Sequence, residues 1–154
     1  MLPMNRIVAI LTIVTIALGF ASCTKYENGP SVSLKSPKSR AVGEWHITDL
    51  LVNDKHEQAL FDKESSAVLT LEKDGTYTYT IPNIRASVEK SGLWSFGEDK
   101  TELILTEVDS INGNSERNYK ITRLSSSEMW LVNGSEEYSG YDDLIERHFE
   151  KKQD

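Results

Sequence analysis

The sequence predicts an all-β fold, an eight-stranded antiparallel up-and-down barrel, placed behind an N-terminal signal peptide. Three observations carry that prediction. Beyond Arg40, short runs rich in Val, Ile, Thr, Tyr, Phe and Trp recur at roughly even spacing, with turn residues between them. Within the runs, apolar and polar residues alternate, as they do in a sheet with one buried and one wet face. The chain of 154 residues holds a single cysteine, so no internal disulfide or cysteine-based metal cluster forms, and stability must come from a packed core.

Residues 1–22 form the leader. Arg6 precedes an apolar run from Ile7 to Leu18, and Phe20-Ala21-Ser22-Cys23 follows. An apolar stretch of about 15 residues is short for a bilayer core of about 30 Å, which takes about 20 helical residues. Secretory h-regions have this length. The tetrapeptide resembles the lipobox of bacterial lipoproteins, with Phe20 where a Leu-type residue is usual. That resemblance implies that Cys23 is acylated and becomes the new N-terminus, anchored to a membrane by its lipid. Thr24 after the cysteine, in place of Asp, favours the outer membrane of a Gram-negative cell envelope. A membrane-spanning N-terminus with an incidental cysteine, or plain secretion, are the competing readings.

Residues 23–39 read as a lipidated tether, rich in Ser, Pro, Gly and Lys. Lys25, Lys35, Lys38 and Arg40 lie close to the lipid end, and Leu34 is a candidate for packing onto the domain. Residues 40–154 are then one small acidic domain, since the whole chain carries a formal net charge of −7 and the leader removes only Arg6. Such a balance disfavours nucleic-acid partners, which need clustered Lys and Arg.

The first strand runs from Val42 to Leu51 with Trp45, Ile47 and Leu51 on one face, which Asp49 interrupts. A polar loop with one helical turn is expected over 53–65. Ala67, Leu69 and Leu71 then alternate up one strand of a hairpin and Tyr77, Tyr79 and Ile81 down the other, joined by Asp74-Gly75. Gly92 to Phe96 is the next strand, with Trp94 and Phe96 inward, after a loop from Asn83 to Lys90. Leu103 and Leu105 face inward from Thr101–Glu107. Asn118–Leu124 and Met129–Asn133 form another hairpin through three serines. From 141 onward the pattern fits both a helical stripe and a strand face. An eighth strand pairing with the first would remove both sheet edges, so a strand is expected there.

Gly43-Glu44-Trp45 after a polar tether, the Asp-Gly-Thr-Tyr hairpin, Gly92-Leu93-Trp94-Ser95-Phe96 and Lys120-Ile121-Thr122-Arg123-Leu124 resemble, in that order, the small lipocalin-like lipoproteins of Gram-negative bacteria over about residues 40–151. The chain departs from true lipocalins in lacking their Thr-Asp-Tyr-type loop motif and paired cysteines. The resemblance implies that Gly43 and Trp45 form a barrel floor, with Arg123 or Arg147 stacked on the tryptophan.

No motif for catalysis stands out. His46, His56 and His148 lack metal-ligand spacing, no nucleophile elbow exists, and the adjacent carboxylates point to opposite strand faces. No cofactor or metal is expected. Asp109-Ser110-Ile111 is similar to the acceptor of bacterial O-glycosylation systems, which marks Ser110 as a candidate site. The leading functional expectation is a noncatalytic module with a small hydrophobic ligand among Tyr77, Tyr79, Trp94, Phe96 and Tyr119. A filled barrel that binds another envelope protein is the second, and an enzyme or enzyme inhibitor the third.

Overall fold

The computed structural model describes residues 25–30, 33–82, 87–108, 113–134 and 143–153. Among the described residues nine strands follow one another: β1 (Gly43–Val52), β2 (Lys55–His56), β3 (Val68–Leu71), β4 (Thr76–Ile81), β5 (Val88–Phe96), β6 (Glu102–Glu107), β7 (Ser115–Leu124), β8 (Glu128–Gly134) and β9 (Leu144–Lys151). All neighbouring pairs are antiparallel, and β9 returns to pair with β1. The two-residue β2 only extends β1 as a hairpin. The closed wall therefore has eight strands, and closure leaves none of them as an open edge. Helix α1 (Pro37–Ala41) precedes β1, and α2 (Gln58–Glu64) lies between β2 and β3.

An up-and-down path sorts the connections to two ends. The β3–β4, β5–β6 and β7–β8 turns, the start of β1 and the end of β9 share one end, the floor. The connections after β4, β6 and β8 share the other, together with α2. The floor turns use a repeated local device: Asp74 Oδ1 accepts hydrogen bonds from the backbone N–H and hydroxyl of Thr76, and Asp99 does the same for Thr101. In the first hairpin Leu71 faces Tyr77 and Leu69 faces Tyr79, the register that the alternation required.

Packing is densest toward the floor. Ala41, Trp45, Leu71, Leu103, Leu124 and Met129 are all fully buried. The Trp45 indole N–H donates to the Ala41 carbonyl at 2.7 Å, which ties the end of α1 beneath β1. Gly43 adopts φ +139°, a backbone conformation that side chains rarely tolerate, and a Cβ there would meet the Lys151 side chain at 3.1 Å. Trp94 donates to the Glu72 carbonyl at 2.9 Å and meets Phe96 edge-on at 5.6 Å between ring centroids.

Three expectations change, and the strand expected at the C-terminal end is present. The register of β1 against β9 shifts between Ile47 and Asp49, and a bulge of one residue transfers every later side chain to the other face. Leu50, not Leu51, is therefore the fully buried residue. Strand β5 begins at Val88, so much of the expected 83–90 loop is ladder, with Val88, Glu89 and Lys90 opposite Ile81, Thr80 and Tyr79. The helical turn expected within 53–65 is the seven-residue α2. The ambiguous C-terminal stripe is strand β9, paired on both sides.

Part of the segment expected as a tether packs onto the barrel. Tyr26 is 2% exposed, and its hydroxyl donates to the Lys100 carbonyl in the β5–β6 turn. The Asn28 N–H donates to the Thr122 carbonyl at 2.8 Å, and the Arg123 guanidinium donates to the Asn28 carbonyl. Arg40, buried in α1, lies over the Tyr26 ring at 5.6 Å. Leu34, by contrast, is fully exposed and does not pack onto the domain.

Candidate functional site

The same inward face that is solid at the floor is hollow above it. A cavity of about 1000 Å³ opens at the α2 end, at the upper limit of ordinary small-molecule sites. Leu69, Leu105, Leu131 and Phe149 form its apolar depth, and Tyr77, Tyr79 and Tyr119 put hydroxyl-bearing rings in the wall. Nearer the mouth stand Ile81, Val88, Lys90, Glu107, Arg117 and Asn133. An amphipathic gradient thus runs along the barrel axis.

The charges in the wall are arranged in two groups. Glu107 lies 3.7 Å from Lys90 and 3.9 Å from Arg117, all three half-buried on β5, β6 and β7. On the opposite wall, Arg147 donates two hydrogen bonds to the Glu64 carboxylate, at 2.8 and 2.9 Å, and a third to Asn133 at 2.9 Å. Tyr79 donates to the same carboxylate at 3.1 Å. Burial pushes the Tyr79 phenol well above its ordinary range, and the neighbouring Glu64 charge adds to that. Burial works against the Arg147 charge, but Glu64 outweighs it and holds the guanidinium more firmly protonated. Since Glu64 closes α2, this bidentate pair fastens the helix to β9 at the rim. Tyr77 is likewise raised, by burial first and by Glu107 second.

Of the expected pocket residues, the structure brings Tyr77, Tyr79 and Tyr119 together around the cavity. Trp94 and Phe96 lie below it and belong to the packed floor. The cation over Trp45 is neither arginine: Lys151 Nζ sits 4.6 Å from the ring centroid and donates to the Arg40 and Val42 carbonyls. Burial depresses the pKa of that ammonium, and Lys35 adds to the effect. Arg147 belongs to the cavity wall, while Arg123 is bound to Glu128 at 2.6 Å and lies over Trp130 at 5.2 Å. Cys23 and Ser110 lie outside the described residues.

The sequence reading missed the charged half of the wall. Lys90 shares parity with Gly92 and Trp94, Glu107 with Leu103 and Leu105, and Arg117 with Tyr119 and Ile121. That parity was the available signal. The histidines are held by acidic or aromatic neighbours: His46 with Glu44 at 2.8 Å, His56 with Asp49 at 2.5 Å, and His148 stacked on Trp130 at 4.0 Å. Among the described residues, no group of three His, Cys, Asp or Glu side chains is placed to hold a metal ion.

A solved lipocalin-like protein from Bacteroides uniformis superposes on the chain with a TM-score of 0.51 and 19% sequence identity, over 73% of this chain and 99% of that one. The fold is lipocalin-like. No protein-family model matches the chain, and no curated protein does. At this identity the likeness concerns the fold, and the cavity and its charges are arguments from this chain's own residues.

Proposed function

We propose that this protein is a noncatalytic binding module of the cell envelope that holds one small hydrophobic ligand with a polar end. The observation that carries this reading is the division of the barrel interior into a packed floor and an open upper half of about 1000 Å³. A barrel serving only as scaffold gains by filling its interior, since buried apolar voids forfeit packing energy. The gradient from Phe149 and Leu131 to Lys90 and Glu107 fits a ligand whose apolar part lies deep and whose polar part stays at the mouth.

The leader and Phe20-Ala21-Ser22-Cys23 support attachment to a membrane through a lipid on Cys23, with the outer membrane of a Gram-negative bacterium as the site. Two or more acyl chains would make such attachment stable. Mass spectrometry tests both parts. The mature protein should begin at Cys23 with the added mass of acyl chains, and a Cys23→Ala chain should leave the membrane fraction. Native mass spectrometry of the gently purified domain should show a retained small molecule, lost on organic extraction. An empty barrel that takes up no amphiphile offered to it would reject ligand binding and leave a role in contacting other envelope proteins.

A further inference from the structure

We propose that the docked segment 25–30 holds the barrel floor-down on the lipid surface, so that the cavity mouth opens away from the bilayer carrying the protein. The inference rests on lipid attachment at Cys23 and adds an orientation to it. Its basis is where the tether is fixed and how little chain remains free. Tyr26 is buried against the floor turn at Lys100 and under Arg40 of α1. Glu27 pairs with Lys120 at 2.6 Å, and Asn28 is hydrogen-bonded to Thr122 and Arg123 near the floor end of β7. Three chain steps lead from Cys23 to Tyr26, a reach of at most about 11 Å.

The height of the barrel exceeds that reach. Strand β7 spans ten residues from Ser115 at the mouth to Leu124 at the floor. That is about 30 Å of strand, or about 23 Å along the axis at a typical barrel tilt of about 40°. A leash of about 11 Å starting at the floor cannot bring the mouth face-down onto the surface. Undocked, the nineteen steps from Cys23 to Val42 would extend to about 65 Å and permit every pose. The docking of Tyr26 and Asn28 is thus what selects the floor. A ligand then enters from the aqueous side or from a facing surface, and not by sliding up out of the supporting leaflet.

The test couples the chain from Cys23 onward, which contains every residue of the core, through its single thiol to a maleimide lipid in nanodiscs. Some headgroups carry gadolinium, and amide signals are read by NMR. Amides of the floor turns, 72–76, 98–101 and 125–127, should lose most of their intensity, while those at 88–90, 107–108 and 115–117 should keep more than half. Equal broadening at both ends, or stronger broadening at the mouth, overturns the proposal. Tyr26→Ala frees the leash and should shrink the contrast at least twofold, with the barrel's own cross-peaks in place; an unchanged contrast overturns the role given to the docked segment. Because attachment here is chemical, failure of the orientation is separate from failure of acylation, which the mass of the mature Cys23 terminus reports.

Discussion

Replacing Arg147 by Met probes the clamp between α2 and the barrel. The guanidinium is 13% exposed and its partner Glu64 11% exposed, so solvent screening is slight. Met removes two hydrogen bonds to Glu64 and one to Asn133, and leaves a buried carboxylate that still accepts from the Tyr79 hydroxyl. Breaking one half of a buried pair costs about 3–5 kcal/mol. For a domain of this size that lowers Tm by roughly 10 °C or more. Glu64→Gln in the Arg147→Met background removes the stranded charge and should recover about 1–3 kcal/mol, a coupling measured by the double-mutant cycle. Denaturant unfolding of the four proteins reads every number. A loss under about 1 kcal/mol for Arg147→Met, the value of an exposed pair, would refute the clamp, as would a double variant no more stable than the single.

Trp45→Ala should cost about 3–5 kcal/mol, because it empties the fully buried floor and strips the partner of Lys151 and the Ala41 carbonyl; a Tm within a few degrees of the parent would contradict the floor assignment. Gly92→Ala places a Cβ 2.0 Å from the Thr106 carbonyl oxygen, so β5 and β6 must part and unfolding should move to clearly lower denaturant. Leu131→Trp adds volume to the cavity wall and should abolish ligand retention in native mass spectrometry with the barrel's far-UV spectrum kept; retention of the same mass would argue that the ligand sits elsewhere. His56 titrates above its ordinary 6.5, through hydrogen bonds to Gln58 and Asp49, whereas burial raises Asp49 but the hydrogen bonds from His56 and the Leu50 N–H together outweigh it and leave Asp49 titrating below 3.8. The His56 contribution is therefore full below its unfolded pKa and fades as pH rises through the raised one, while that of Asp49 fades as pH falls through its depressed one. NMR titration should show the His56 midpoint drop in Asp49→Asn, and an unmoved midpoint would dissolve the pair.

The wall was legible wherever a strand obeyed period two without interruption. Leu69–Leu71 and Tyr77–Tyr79 announce their hairpin because both faces are chemically distinct and Asp74 fixes the turn. Alternation fails in β1 past Ile47 because a bulge is a tertiary adjustment against β9, and nothing local marks Thr48 as the extra residue. Val88 to Lys90 read as loop because an inward lysine breaks the apolar signature; a cavity with a charged mouth writes polar residues at core parity. The same ambiguity hid the rim, since Glu64 and Arg147 are 83 residues apart and neither spacing nor composition joins them. Gly43-Glu44-Trp45 marks the floor tryptophan in the sequence, but nothing local to it names its cation, which is Lys151 at the end of β9.

Closure of the wall depends on the first and last strands of the domain meeting, with Trp45 opposite Lys151 and Val52 opposite Ile145. Contacts of that sequence separation come late and slow the folding of β proteins. Until β9 arrives, β1 and β8 both expose unpaired backbone, and the Phe149 side of the interior stays open to water. A nascent or truncated chain ending before residue 144 is therefore a ribbon with two adhesive borders, prone to pair with its own copies. The final eight-residue strand acts as the fastening that covers both borders at once, so trimming into residues 144–151 would reopen them together.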